Sequence, residues 1–273
     1  MSRLTLISPW VLAVSSAVLI WLYAAALNIL GLLSSGASTL ALVAVLVAAT
    51  VSSIAGFAFS AIAAAMLLPL MREPVEVVTI MLLSSIAIQS LSVWALRRAI
   101  DWHALFPMLV GGIMGLPIGV YLLLHLDTSQ YARIMGVALV LYGAYMLFRK
   151  PLTVRGGRLH DALAGVAGGI TGGLAAFPGA LVTIWCSMKG WDKNRQRGVY
   201  QPYILIMQIL TLVLLRTVTS GSWPGIAATA WTFVPAALMG TCCGLAIFKR
   251  LTDKQFGTAI NVLLLVAGAG LIW

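Results

Sequence analysis

The sequence predicts an all-α polytopic membrane protein. It reads as two inverted repeats, each a re-entrant broken-helix hairpin followed by three transmembrane helices, with one extra N-terminal helix. Three observations predict this. The chain has 273 residues, of which 61% are hydrophobic and only 9% charged, more apolar surface than a soluble domain can hide. Its basic residues sit between apolar stretches and sort to one side of a membrane. Polar landmarks of the first half also recur in the second at consistent offsets.

Apolar runs with at most one charged residue each cover 9–33, 38–71, 75–96, 103–124, 130–148, 160–188, 199–218, 226–248 and 255–272. Most have the length of one span. The first is too long for a signal-peptide apolar core, so a retained accessory helix is expected within 1–37. Two others do not read as one plain span. Segment 38–71 is long, and 160–188 is interrupted by Gly172, Gly173, Pro178 and Gly179.

Charge decides how these two run. If 160–188 crossed once, the basic loops Arg149–Arg158 and Lys189–Arg197 would face opposite sides, against the positive-inside bias. If it dips in and returns as two half-helices, both loops face the cytoplasm. Treating 38–71 likewise, entering from outside, places the N-terminus inside and the C-terminus outside. Only Arg72, Arg133 and Arg216 of the 17 basic residues then fall near the outer face. The units are 1–37, a first repeat at 38–148, a cytoplasmic linker at 149–159 and an inverted second repeat at 160–273. The net charge of +10 is accounted for by topology, and no aromatic-interleaved basic patch points to nucleic acid.

The repeat shows in single residues. Gly56 matches Gly172, Gln89 and Arg97 match Gln208 and Arg216, and Gly115 and Gly119 match Gly240 and Gly244. The glutamines weigh most, because amides are rare in spans. Trp10, Trp94, Trp102, Trp191, Trp223 and Trp273 lie near segment ends, as interfacial belts do. His103, His125 and His160 share no metal or catalytic spacing. Cys186, Cys242 and Cys243 read as small packing residues. No cofactor or metal is expected.

Candidate chemistry concentrates where the hairpins break. Helix breaks at mid-membrane must be buried in protein or line a polar cavity. The second break is expected near Thr171, Gly172 and Gly173 and near Phe177, Pro178 and Gly179. The first is expected near Ser52 and Ser53 and near Gly56 and Phe57, with Ser60 one turn on. Half-helices restarting there aim free N–H groups and a positive dipole end at the membrane centre, which suits an anion. Gln89 and Gln208 are the most polar residues of their spans and join the candidate set. Gly115, Gly119, Gly240 and Gly244 read instead as close-packing positions. All seven acids, Glu73, Glu76, Asp101, Asp127, Asp161, Asp192 and Asp253, lie in loops or at span ends. No proton relay or acidic cation site is therefore expected at mid-membrane. An anion leaving an inside-negative cell gains about 2.3 kcal/mol per charge per 100 mV, so export needs no coupling ion.

Ala55-Gly56-Phe57-Ala58-Phe59-Ser60 leading to Pro69, and Gly165 through Gly173 leading to Pro178, resemble the paired motifs of the sulfite exporter TauE/SafE family. The chain length, the repeat layout and the loop Lys189-Gly190-Trp191-Asp192-Lys193 are similar to it as well, and the resemblance covers 38–273. It implies a transporter, not an enzyme, in the bacterial inner membrane. The implied cargo is sulfite or a related small sulfur oxyanion or organosulfonate, usually moved outward. The residues alone reach only "small anion". Uptake of a sulfonate, thiosulfate or other small organic anion is the alternative within transport. A membrane-embedded enzyme or assembly scaffold is the alternative outside it. The partners expected are the anion and the lipid bilayer, and a homodimer is compatible with the sequence. The second tip, rich in glycine and carrying Pro178, is expected to approach the anion more closely than the first.

Overall fold

The computed structural model describes residues 36–55, 59–71, 73–148, 154, 156–219 and 228–248, with residues 265 and 269. All regular structure among these residues is helical. Helices α1 (Gly36–Ala55) and α2 (Phe59–Leu67) flank the first expected break, and α3 (Pro74–Leu96), α4 (Trp102–His125) and α5 (Thr128–Phe148) follow. Helices α6 (Arg158–Ala175) and α7 (Gly179–Met188) flank the second, and α8 (Lys193–Val218) and α9 (Val234–Phe248) follow. The expected accessory helix, most of the 219–225 loop, the last expected span and the pair Gly56 and Phe57 lie outside the described residues.

Three acids at span ends act as caps. The Asp101 carboxylate accepts the Ala104 N–H at 3.1 Å, and Asp127 accepts that of Gln130 at 2.7 Å. Asp192 accepts from Asn194 and Arg195 at 2.9 and 3.1 Å. Each satisfies an N–H that the first helical turn cannot pair. The Asp192 cap starts α8 at Lys193, inside the basic loop and ahead of the expected 199.

Three helices, within α3, α4 and α8, are long and apolar enough to cross a membrane. Their surfaces fit lipid. Phe106, Val110, Ile113, Met114, Ile118 and Tyr121 of α4 all point outward. The opposite face of α4 carries Gly111, Gly115 and Gly119, which sit against the backbone of α6 at Ala162, Val166 and Ile170. Gly165, Gly169 and Gly173 return the contact against Met108, Gly112 and Leu116. A methyl group at any of these would strike main chain, so glycine is what lets the two helices touch. The residue numbers rise together along the contact, so α4 and α6 run parallel.

The ends of the second hairpin are tied together. The Val154 N–H donates to the Met188 carbonyl at 2.7 Å, joining the approach to α6 with the end of α7. Lys189 Nζ reaches both Asp161 carboxylate oxygens, at 2.6 and 2.9 Å, and Trp185 Nε1 donates to Asp161 at 2.7 Å. Arg195 pairs with Asp101 at 3.0 Å, and Gly198 packs on the Ala99 carbonyl. The loops at 97–101, 154–160 and 189–198 therefore share one end of the molecule. At Asp101, partial burial works to raise the carboxyl pKa. The Ala104 N–H and the Arg195 guanidinium outweigh it, and the group sits below its ordinary value.

The breaks are narrower than expected. Helix α6 runs through Thr171, Gly172 and Gly173 without interruption, and α1 runs through Ser52 and Ser53. Glycines inside a helix need not break it where a neighbouring helix packs over them. The second break is Ala176–Pro178. Proline lacks the N–H that would continue α6 and disfavours helical geometry in the residue before it. Ala176 turns the chain with φ 53°, the one left-handed non-glycine among the described residues.

Candidate functional site at the helix breaks

The two breaks meet. Ser60, at the start of α2, donates its hydroxyl hydrogen to the Ala176 carbonyl at 2.6 Å. Gln208 Nε2, from α8, donates to the Ser85 hydroxyl at 2.8 Å and lies 3.4 Å from the same Ala176 oxygen. Helices α2, α3 and α8 and the α6–α7 turn thus converge on one buried point. Ser85 stands eleven residues from each end of α3, about 16 Å in from either side. The meeting point is therefore at mid-span.

The amide orientation of Gln208 follows from its partners. A carbonyl can only accept, so the nitrogen must face Ala176 and the oxygen must face away. That Oε1 is buried without a hydrogen-bond partner, as is the Ser84 hydroxyl beside Ser85. An unpaired polar atom in such a place costs free energy, on the order of 1–3 kcal/mol. Such a group calls for an explanation, and a water or an ion that completes the set is one.

The electrostatics favour negative charge. The N–H groups of Gly179, Ala180 and Leu181 open α7, and none has an α-helical partner. The opposing charge is the carbonyl end of α6. There the Gly172 carbonyl accepts the Ala176 N–H, and the Ala176 carbonyl accepts from Ser60 and Gln208, while the N-terminus of α7 presents positive charge.

The predicted residues divide as follows. Ser60, Pro178, Gly179 and Gln208 come together at the break, where Pro178 immediately precedes α7. Gln89 is buried one turn beyond Ser85 on α3. Gly172 faces Pro178, and Gly173 faces α4 at Leu116 and Val120. Thr171 turns its hydroxyl back to the Ala167 and Gly168 carbonyls of its own helix, at 3.1 and 3.2 Å. Ser53 is within α1, and Gly56 and Phe57 are outside the described residues. Sequence reasoning missed Ser85 and Ala176. The pair Ser84-Ser85 one turn before Gln89 was an available signal. Ala176 gave none, because alanine does not mark left-handed backbone. Phe177 packs edge-on to Tyr142 of α5, ring centroids 5.4 Å apart, which seats the turn against a further helix.

Apolar outward faces around a buried polar centre at two helix breaks define a multi-pass membrane protein built as solute transporters are. The family described as sulfite exporter TauE/SafE matches residues 40–271. The chain belongs to that family, whose members are transporters and not enzymes. No curated protein and no solved structure matches it.

Proposed function

We propose that the protein exports sulfite or a related small sulfur oxyanion across the bacterial inner membrane, by alternating access around the two helix breaks. The observation that carries this reading is the Ser60–Ala176 hydrogen bond, which brings the N-termini of α2 and α7 to one mid-span point beside Gln208. The anion would take the N–H groups opening α7 and α2, with Gly172, Pro178 and Gly179 allowing close approach. Ser53, Gly56 and Phe57 would complete the first tip, and Gln89, Thr171 and Gly173 would shape the surroundings. A ligand bearing a proton would also satisfy the Gln208 oxygen.

An inverted repeat is supported by which helices pair. Helix α6 packs along α4 as α1 packs along α9, and α3 packs on α8. Gly115 meets Val166 of α6, and its repeat mate Gly240 meets Leu46 and Thr50 of α1. Rocking one half against the other would open the meeting point to each side in turn. The shared end carrying the loops at 97–101, 154–160 and 189–198 would be cytoplasmic, by its basic residues. Outward flow of the anion then follows the membrane potential.

Sulfite flux from liposomes containing the protein tests this. Flux above that of empty liposomes, rising under an outward-driving potential, is expected. No difference from empty liposomes would sink it, and flux limited to the inward direction would turn the reading to uptake.

A further inference from the structure

Gln201 of α8 is fully buried, and neither its amide nitrogen nor its amide oxygen has a hydrogen-bond partner. Within an apolar bundle this is costly for a side chain with two polar ends. Nothing in the packing of the break requires it. Its repeat position in the first half is Leu82, which is buried and apolar.

Three features around it point the same way. Gln201 precedes Gln208 by seven residues, nearly two helical turns. Both therefore stand on one face of α8, the face that meets Ser85 and the Ala176 turn, about 10 Å apart along the axis. Gln201 is the nearer of the two to the basic end. Pro202 lacks an N–H, so the Gly198 carbonyl one turn back loses its α-helical partner. On α7, Thr183 is buried with its hydroxyl also unpartnered. Its neighbours Val182 and Cys186 pack in one cluster with Val199, Tyr200 and Tyr203 of α8, the residues on either side of Gln201 in sequence. A buried amide, a buried hydroxyl and a freed carbonyl thus lie on the packed stretches of α7 and α8 between the basic loops and the breaks.

We propose that Gln201, with Thr183, is a second station on the solute's path, holding a small oxyanion that carries a proton or a water between the basic end and the meeting point of the breaks. The inference rests on the transport reading above. The chemistry selects the ligand form. The Gln201 nitrogen donates to an anionic oxygen, while its oxygen accepts and so opposes a bare dianion. A singly charged oxyanion with one O–H, such as hydrogensulfite, satisfies both ends; so does an oxyanion with one retained water.

The test compares full-length wild type with Gln201→Met and Gln201→Asn, reading sulfite flux in liposomes and melting temperature in detergent. Methionine is nearly isosteric and removes an amide that has no partner, so Gln201→Met is expected to raise the melting temperature. It is also expected to raise the KM for sulfite about tenfold, the worth of one hydrogen bond to a charged group. Gln201→Asn keeps the amide and is expected to stay closer to wild-type KM. A lowered melting temperature in Gln201→Met would show a structural partner and overturn the station. So would an unchanged KM, as for a trapped structural water, or an equal loss in both variants. Wild-type liposomes that pass no sulfite, thiosulfate or sulfonate sink the transport reading itself. Wild-type flux with an unaltered Gln201→Met sinks only the station.

Discussion

Ser60 and Gln208 should prove energetically coupled through an atom belonging to neither. Both place a donor on the Ala176 carbonyl, at 2.6 and 3.4 Å. Ser60→Ala removes the shorter bond but leaves Gln208 able to close on the oxygen. A net loss of about 1 kcal/mol is expected, the worth of one neutral hydrogen bond. Gln208→Leu removes the longer bond and the Ser85 contact, but also an amide oxygen that has no partner. Those effects offset, and a loss of about 1 kcal/mol or less is expected. The double variant leaves a buried carbonyl with neither donor, which adds a desolvation penalty of about 1–3 kcal/mol. Its cost should therefore exceed the sum of the single costs by at least about 1 kcal/mol. Reversible unfolding in mixed micelles, run as a double-mutant cycle, measures this. Additivity within about 0.5 kcal/mol would refute the shared-acceptor geometry, and with it the meeting of the two breaks.

Other expectations follow from the same geometry. Ala176→Gly relieves a left-handed alanine and should stabilise the protein by about 0.5–1 kcal/mol, read in the same unfolding assay; a loss would mean the turn is not strained. Asp161→Ala strands Lys189 in a partly buried place and should cost about 3 kcal/mol, more than Asp161→Ala combined with Lys189→Met. The depressed Asp101 carboxyl stabilises the fold above its ordinary titration range and loses that contribution as pH falls through its lowered value. The stability gap between wild type and Asp101→Asn, less than about 1 kcal/mol for so exposed a pair, should close on acidification. A gap that widens at low pH would reverse the assigned direction.

The second hairpin was legible because charge constrains it. Lysines and arginines at both ends of 160–188 cannot be cheaply placed on opposite sides, and the Asp161–Lys189 pair and the Val154–Met188 bond join those ends. Gln208 was legible because an amide in a span must be used. The exact break was not. Gly172 and Gly173 suggested interruption, yet they serve helix contact, and the contact belongs to tertiary packing that periodicity does not reveal. Pro178 was the true mark. Ser85 was hidden because serine is cheap in helices, where it can bond the preceding turn. Gln201 was hidden by lying beside a basic loop and Pro202, so it read as span edge; only its burial distinguishes it.

The claim that the two breaks share one anion is tested most directly by locating a bound one. Selenite is the selenium counterpart of sulfite and can be found by its anomalous scattering. Crystals of the protein grown with selenite should show one strong site among Ser60, Ala176–Gly179 and Gln208. A site elsewhere in the bundle, or none in protein shown to transport selenite, would contradict the account.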